Sequence, residues 1–377
     1  MTARLVLSCG EPSGDVYAGA LTRELRRLDP SVTVSGLGGP QFSAAGGALI
    51  ADYRRLTASG LIEPIGKVPQ SFATLRRLGD FARTARPDVL VVIDFAGFNF
   101  RLARRVKELG IPIVYYISPQ IWAWRAWRLK TIRETADLVL VIFPFEEKIY
   151  RDAGVPVTFV GHPLIDLAAS VDKATFLSRC GLSPTAPTVA ILPGSRSSEV
   201  RRILPDLLAA AERIRASVPT VQFIVARAPG LANHLFNGVA DAASVEGETD
   251  AVLSSADVAL TASGTATVQC ALHDTPMVIV YRVSPLEYCV GRRMVMLDTF
   301  GMVNLIAGTK IVPELIQHAF TPDAVAQEAI SMLTDRARHA RIREWLARVR
   351  ERLGGPGASR RAAEAILGLI DASTSRL

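Results

Sequence analysis

Leu5-Val6-Leu7-Ser8-Cys9-Gly10-Glu11-Pro12-Ser13-Gly14-Asp15 runs an apolar strand into a small-residue turn, and a helical pattern, Ala18–Leu28, follows at once. A strand that ends in such a turn gathers backbone N–H groups, a carboxylate and a hydroxyl at one point. In an open parallel sheet that point is the crevice beyond the strand ends, where ligands bind. Taken alone, the same peptide is also an ordinary capped turn, so the rest of the chain has to decide.

Working outward, strand-like apolar runs recur at Leu5–Ser8, Val32–Leu37, Val89–Ile93, Ile113–Ile117, Leu138–Ile142 and Val157–Val160, with helical patterns such as Phe100–Leu109 and Lys130–Thr135 between them. Continuous apolar runs alternating with amphipathic helices predict a parallel sheet covered on both faces. Leu182-Ser183-Pro184-Thr185-Ala186-Pro187 reads as a boundary or hinge. A second series follows: strands at Val189–Leu192, Val221–Val225, Val258–Leu260 and Met277–Tyr281, and helices at Pro205–Ser217, Thr265–Leu272 and Pro322–Leu333. The expected fold is α/β, two Rossmann-like domains facing each other across a cleft, with the chain divided at 1–166 and 167–358. An arginine-rich helical tail follows, broken at Gly354-Gly355-Pro356-Gly357.

At 377 residues and 49% hydrophobic, the chain suits two cores rather than one. Cys9, Cys180, Cys270 and Cys289 show no CxxC spacing, and the five histidines form no HxxxH pair. That argues for a reducing compartment and against a structural zinc. A strand within the first residues leaves no room for a signal peptide, and no run reaches the roughly 20 apolar residues of a membrane span, so a cytoplasmic location is expected. The net charge of +7 suits nucleic acid, an anionic membrane face or phosphorylated substrates. No nucleic-acid-binding motif accompanies it, so nucleic acid is not expected as a partner.

Several residues carry chemistry. Asp94 follows the buried run Val89-Leu90-Val91-Val92-Ile93, where a carboxylate is costly unless used. It is either a general base, its pKa raised by partial burial, or a cap for the helix near Phe98-Asn99. Asp15 can cap a helix; Glu11 is harder to explain structurally. Leu192-Pro193-Gly194-Ser195-Arg196 lacks the GK[ST] ending of a Walker A loop, yet Gly194, Ser195 and Arg196 offer close backbone approach, a hydroxyl and a bidentate donor for a diphosphate. Ser263-Gly264-Thr265-Ala266-Thr267 is a second strand-to-helix turn suited to phosphate. Together they could hold a diphosphate without a metal, and no DxD-like or histidine cluster calls for one. Trp122, Trp124 and Trp127 alternate with Arg125 and Arg128, as a core feature or an interfacial belt. Gly161-His162-Pro163 reads as a structural turn. In the segment Leu61–Leu78, Ile65, Val68, Phe72 and Leu75 fall at near-helical spacing beside Lys67, Arg76 and Arg77. That helix faces either the core or a membrane surface.

The ordered series GEPSGD (10–15), IDFAGFN (93–99), YYISPQIWAWR (115–125), FVGHP (159–163), LPGSR (192–196) and ASGTAT (262–267) resembles the lipid-A-disaccharide synthases, two-domain glycosyltransferases of the GT-B type. The SPxxWAWR and IDxxxFN elements are specific to that family, against the lipid-linked muramyl transferases and UDP-N-acetylglucosamine 2-epimerases. A rival of another class is a catalytically silent, membrane-docked nucleotide-sugar-binding protein. The resemblance implies UDP-2,3-diacylglucosamine as donor and 2,3-diacylglucosamine 1-phosphate as acceptor. Asp94 would be the base taking the acceptor's 6-hydroxyl proton, and inversion would give the β-1,6 disaccharide 1-phosphate of lipid A synthesis, with no cofactor. It places Glu11, Ser13, Asp15 and Asn99 on the acceptor side and Gly194, Ser195, Arg196, Ser263, Gly264, Thr265, Gln269 and Asn304 at UDP. Ile65, Val68, Phe72 and Leu75 would then meet the inner face of the inner membrane. It returns the last helix, 359–377, to the first domain; exchange of that helix in a homodimer is equally compatible with the sequence. Three positions depart from the pattern. Gly97 stands where a second acid is usual, and Val303 replaces proline before Asn304. Gln269 replaces a glutamate that typically accepts from ribose hydroxyls. An amide oxygen accepts more weakly than a carboxylate, so Gln269→Glu is expected to tighten UDP or leave it unchanged.

Overall fold

The computed structural model describes residues 2–56, 63–119, 127–239, 241–283, 299 and 301–374, without the side chains of 63–68, 127 and 374. The chain divides into two compact units, Met1–Asp166 with Leu353–Leu377, and Leu167–Arg352.

The first unit holds a seven-stranded sheet in the order β3-β2-β1-β4-β5-β6-β7. Its strands are β1 (Arg4–Cys9), β2 (Thr33–Gly38), β3 (Ala48–Asp52), β4 (Val89–Ile93), β5 (Ile113–Tyr116), β6 (Leu138–Val141) and β7 (Val157–Phe159). The second holds β8 (Thr188–Leu192), β9 (Gln222–Arg227), β10 (Ala243–Glu246), β11 (Val258–Ala262), β12 (Met277–Tyr281) and β13 (Glu314–Ile316), in the order β10-β9-β8-β11-β12-β13. Neighbouring strands in both sheets pair in parallel. All five residues of β4, β8 and β11 are buried, as expected of strands covered by helices on both faces.

Two helices begin earlier than their apolar pattern suggests. The first spans Pro12–Leu28 with Glu11 as N-cap, so Ser13 and Asp15 lie inside its first turn. Proline at the first helical position lacks only an N–H that would be unpaired there anyway. The helix read as starting at Pro205 spans Ser197–Ser217 and carries Pro205 within it. Its true start is marked by Glu199, three residues beyond the N-cap Arg196, whose carboxylate accepts the backbone N–H of both Ser195 and Arg196.

The last helix, Ala358–Thr374, packs on Pro12–Leu28 within the first unit. Polar anchors fix it there. The Asp166 carboxylate accepts from Gly357 N and Ser359 N, and Arg361 donates to the carbonyls of Val160, Gly355 and Pro356.

Candidate active site

Each sheet has one point where the strand order reverses. In the first sheet the chain leaves β1 for β2 and β3 on one side, then returns as β4 and continues to the other. The second does the same between β8 and β11. Helices leaving the two central strands cover opposite faces, so a crevice opens at the strands' carboxyl ends.

At the first of these points Cys9 pairs with Ile93, which sets Gly10 level with Asp94 on strands about 4.8 Å apart. The chain there takes an uncommon path. Asp94 and Phe95 are consecutive left-handed residues, with φ of 44° and 49°. Left-handed non-glycine residues cost of order 1 kcal/mol or more each and persist only where the surroundings impose them. Asn99 is one such constraint. Its side chain is fully buried, and its Nδ2 donates to the carbonyls of Asp94 (2.8 Å), Ile93 (3.2 Å) and Ser8 (3.3 Å). Its Oδ1 accepts from Ser8 Oγ at 2.6 Å. Gly10 is a second constraint, because a Cβ there would lie 2.1 Å from the Phe95 ring.

The outcome differs from the expected partial burial: Asp94 is exposed. The left-handed turn lifts it off the strand end. Asn99, expected at the acceptor, has every polar atom of its amide engaged inside the protein. Asp15 is likewise internal. It is 2% exposed, and its carboxylate accepts from the backbone N–H of Gly39, Gln41 and Phe42, capping the short helix Pro40–Ala44 rather than its own. Glu11 and Ser13 are half-buried at the mouth of the same turn. Gly97 is exposed, with nothing within 4 Å of where a Cβ would stand. Burial and the nearby Asp15 push the Cys9 thiol well up, so it is not a nucleophile at neutral pH.

His162 is 2% exposed, edge-on to Tyr17 and beside Phe143, and its Nδ1 accepts from Leu164 N. Burial lowers its pKa to about 3. The unfolded chain, near 6.5, therefore binds a proton that the folded chain refuses. The stabilisation is complete above pH 6.5 and is lost as pH falls towards 3, about 2 kcal/mol of it by pH 5. Denaturant unfolding at pH 7 and pH 5 should show a loss smaller by about that amount in His162→Gln, which keeps an acceptor but does not titrate. Equal losses in both proteins would refute this account of His162.

At the second point Leu192 pairs with Thr261, which sets Gly194 level with Ser263. The two turns that follow are not equivalent. At the first, the Glu199 carboxylate holds the N–H groups of Ser195 (3.0 Å) and Arg196 (3.2 Å) and accepts from Arg196 Nη1 (2.9 Å). Gly194, at φ 118°, is forced by that carboxylate, which a Cβ would meet at 2.5 Å. An anion therefore already sits on these amides, and the half-exposed Arg196 side chain is what this turn offers outward. At the other turn the helix Thr265–Leu272 has no side-chain cap, and space is open about Gly264. Thr267 Oγ1 donates back to Gly264 O and braces the turn. This is the turn with amides to offer an incoming phosphate.

Gln269 is half-buried one helical turn on, with its Nε2 on Asp250 Oδ1. Asn304, expected at the nucleotide, is 1% exposed. It donates to Val312 O and Glu314 Oε1 and accepts from Ile311 N and Val312 N, so it staples the helix Met302–Ala307 to β13. Among the described residues no group of three or more His, Cys, Asp or Glu is placed to hold a metal ion. Ser8, Glu199 and Asp250 were not picked out from the sequence. Only Glu199 had a local signal, its capping spacing from Arg196.

On the helix Glu63–Ala85, Phe72 is 51% exposed beneath the Arg101 guanidinium, with Arg76 and Arg77 also exposed. Leu75 turns partly into the core. The side chains of Ile65, Val68 and Trp127, and residues Trp122 and Trp124, lie outside the described residues. Among the described residues no helix is long and apolar enough to cross a membrane.

A sequence model of the family described as Lipid-A-disaccharide synthetase matches residues 5–368. The lipid-A-disaccharide synthase of Myxococcus xanthus is 40% identical over 373 residues, covering 97% of each chain. That of Anaeromyxobacter dehalogenans is 41% identical over 377 residues, covering 98% of each. Among solved structures, the calicheamicin glycosyltransferase CalG4 (TM-score 0.62, 14% identity, 97% of this chain and 98% of that one) and S. aureus MnaA with UDP (TM-score 0.68, 12% identity, 98% of each) share the two-sheet GT-B fold. With the family match spanning nearly the whole sequence, this chain belongs to the lipid-A-disaccharide synthases, the glycosyltransferases of lipid A synthesis.

Proposed function

We propose that the chain transfers 2,3-diacylglucosamine from its UDP derivative to the 6-hydroxyl of 2,3-diacylglucosamine 1-phosphate, with inversion, giving the β-1,6 disaccharide 1-phosphate and UDP. The observation that carries this reading is the exposed Asp94 on its clamped left-handed turn, a carboxylate held out at the first crevice by Asn99 and Gly10. Asp94 accepts the 6-hydroxyl proton as that oxygen bonds to the donor's anomeric carbon and the bond from that carbon to the UDP oxygen breaks. Glu11 and Ser13, at the level of Phe95 and beyond, contact the acceptor sugar. Asn99 and Asp15 act behind them, holding the two turns in shape. The charge that develops on the departing diphosphate falls to Arg196 and the uncapped helix start at Gly264–Thr265. Incubating the purified protein with both lipids tests the reading by mass of the product. Release of UDP without disaccharide, or no turnover at all, would overturn it.

Both lipids reach the enzyme from the inner face of the inner membrane, and the exposed Phe72 beside Arg76, Arg77 and Arg101 suits that surface. Phe72→Gln should reduce flotation with anionic vesicles severalfold while leaving the thermal midpoint within a degree or two, because the ring is half-exposed. Unchanged flotation would move the docking surface elsewhere.

A further inference from the structure

Thr265 and Gln269 are four residues apart on one helix, so they share a face and stand about 6 Å apart along its axis. Gln269 is tied to a neighbour from another element. Its Nε2 donates to Asp250 Oδ1 at 3.3 Å, and His273 Nε2 lies 3.0 Å from the same oxygen. Asp250 comes from the helix Thr249–Ser255 and keeps a quarter of its side chain exposed, while His273 beneath it is 6% exposed. With the amide nitrogen turned to Asp250, the acceptor atom Gln269 Oε1 points away from it. Asp250 Oδ2 and Gln269 Oε1 accept no hydrogen bond among the described residues. Two acceptors, one of them charged, thus lie one helical turn from an uncapped helix start.

A ligand that places a phosphate at Gly264–Thr265 and a pair of neighbouring hydroxyls one turn further along would satisfy both ends. A ribonucleoside diphosphate has that layout. We propose that Asp250 is a specificity residue of the donor site: held by Gln269 and His273, it supplies the carboxylate that accepts the ribose hydroxyls. This rests on the donor reading given above and adds to it where the charge comes from. The carboxylate absent at position 269 is provided across the helix–helix contact, and the amide at 269 is what allows it to stand there. The consequence for Gln269→Glu is opposite in sign to that expected from the sequence. A carboxylate at 269 would meet Asp250 at about the distance of the present hydrogen bond. Two like charges so close must separate or share a proton, and either change disturbs the site.

Calorimetry with UDP, 2′-deoxy-UDP and pyrophosphate distinguishes the outcomes. The native protein should prefer UDP over 2′-deoxy-UDP by about tenfold or more, because a site built to bond a hydroxyl rejects the analogue lacking it. Asp250→Asn should lose most of that preference with pyrophosphate binding unchanged. Gln269→Glu should bind UDP severalfold more weakly, and the double variant Asp250→Asn with Gln269→Glu should recover it, the single carboxylate having changed places. An unaltered preference in Asp250→Asn, or tighter UDP binding by Gln269→Glu alone, would overturn the assignment while leaving the donor reading intact. A native protein that binds no UDP would overturn both.

Discussion

Asp94→Asn is expected to lower turnover by about a hundredfold or more, the scale of a lost general base, with UDP binding and the thermal midpoint close to native. The substitution is well matched to the site. Asp94 sits at φ 44°, and asparagine is among the few side chains that enter the left-handed region readily, so the turn should persist. Because Asp94 is exposed, exchanging its charge for an amide carries little desolvation cost. Alanine would be the poorer probe, since it adds backbone strain to the loss of the carboxylate. Near-normal turnover in a folded Asn variant would place the base elsewhere, with Glu11 next to test.

Removal of Asn99 should also lower turnover, by a smaller factor and a different route. Asn99→Ala deletes a buried amide that serves three carbonyls and one hydroxyl, and leaving such groups unpaired should cost about 3 kcal/mol of stability. Turnover should fall by tenfold or more besides, because the carbonyl of Asp94 loses its tether. Stability loss alone would be consistent with a merely structural residue, so a second variant separates the roles. Ser8→Ala with Asn99→Leu removes both the donor and the acceptor of the Ser8 bond and refills the space, which should return part of the lost stability. In that variant turnover should remain low while UDP binding is unchanged. Recovery of turnover together with stability would show that Asn99 serves only the fold.

The second crevice illustrates how local signals mislead about a ligand. Gly194-Ser195-Arg196 and Ser263-Gly264-Thr265 read as two equivalent phosphate turns, yet one of them is already filled. Glu199 lies only three residues past Arg196 and reaches its own helix start, a contact set by helix geometry. No comparable acid follows Gly264 in the sequence, and that start stays open. Asn304 misleads in the other direction. A polar residue within a motif suggests a ligand, whereas here burial demands that its donors and acceptors be met internally.

The α/β class, the central strands and the strand-to-helix turns that follow β1, β4, β8 and β11 were legible in the amino-acid sequence, whereas the two points of strand reversal came from the sheet order. Continuous apolar runs such as Val89–Ile93 and Val258–Ala262 have one stable use, burial on both faces of a parallel sheet. Of the four described edge strands β7 was legible and β3, β10 and β13 were not, because a strand with one neighbour and partial exposure needs no long apolar run; Ala243–Glu246 alternates half-buried and exposed residues. Which polar residues are exposed and which are used inside the protein was set by tertiary packing. Asp94 and Asn99 are five positions apart, and both carry polar side chains. The left-handed turn at 94–95 sends one outward and draws the other among the carbonyls of β1 and β4. Asp250 and Gln269 are nineteen residues apart, on separate helices, and their pairing depends on how those helices pack. Spacing along a chain predicts which face of an element a residue occupies, but long-range partners settle whether its charge is used inside the protein or offered to a substrate.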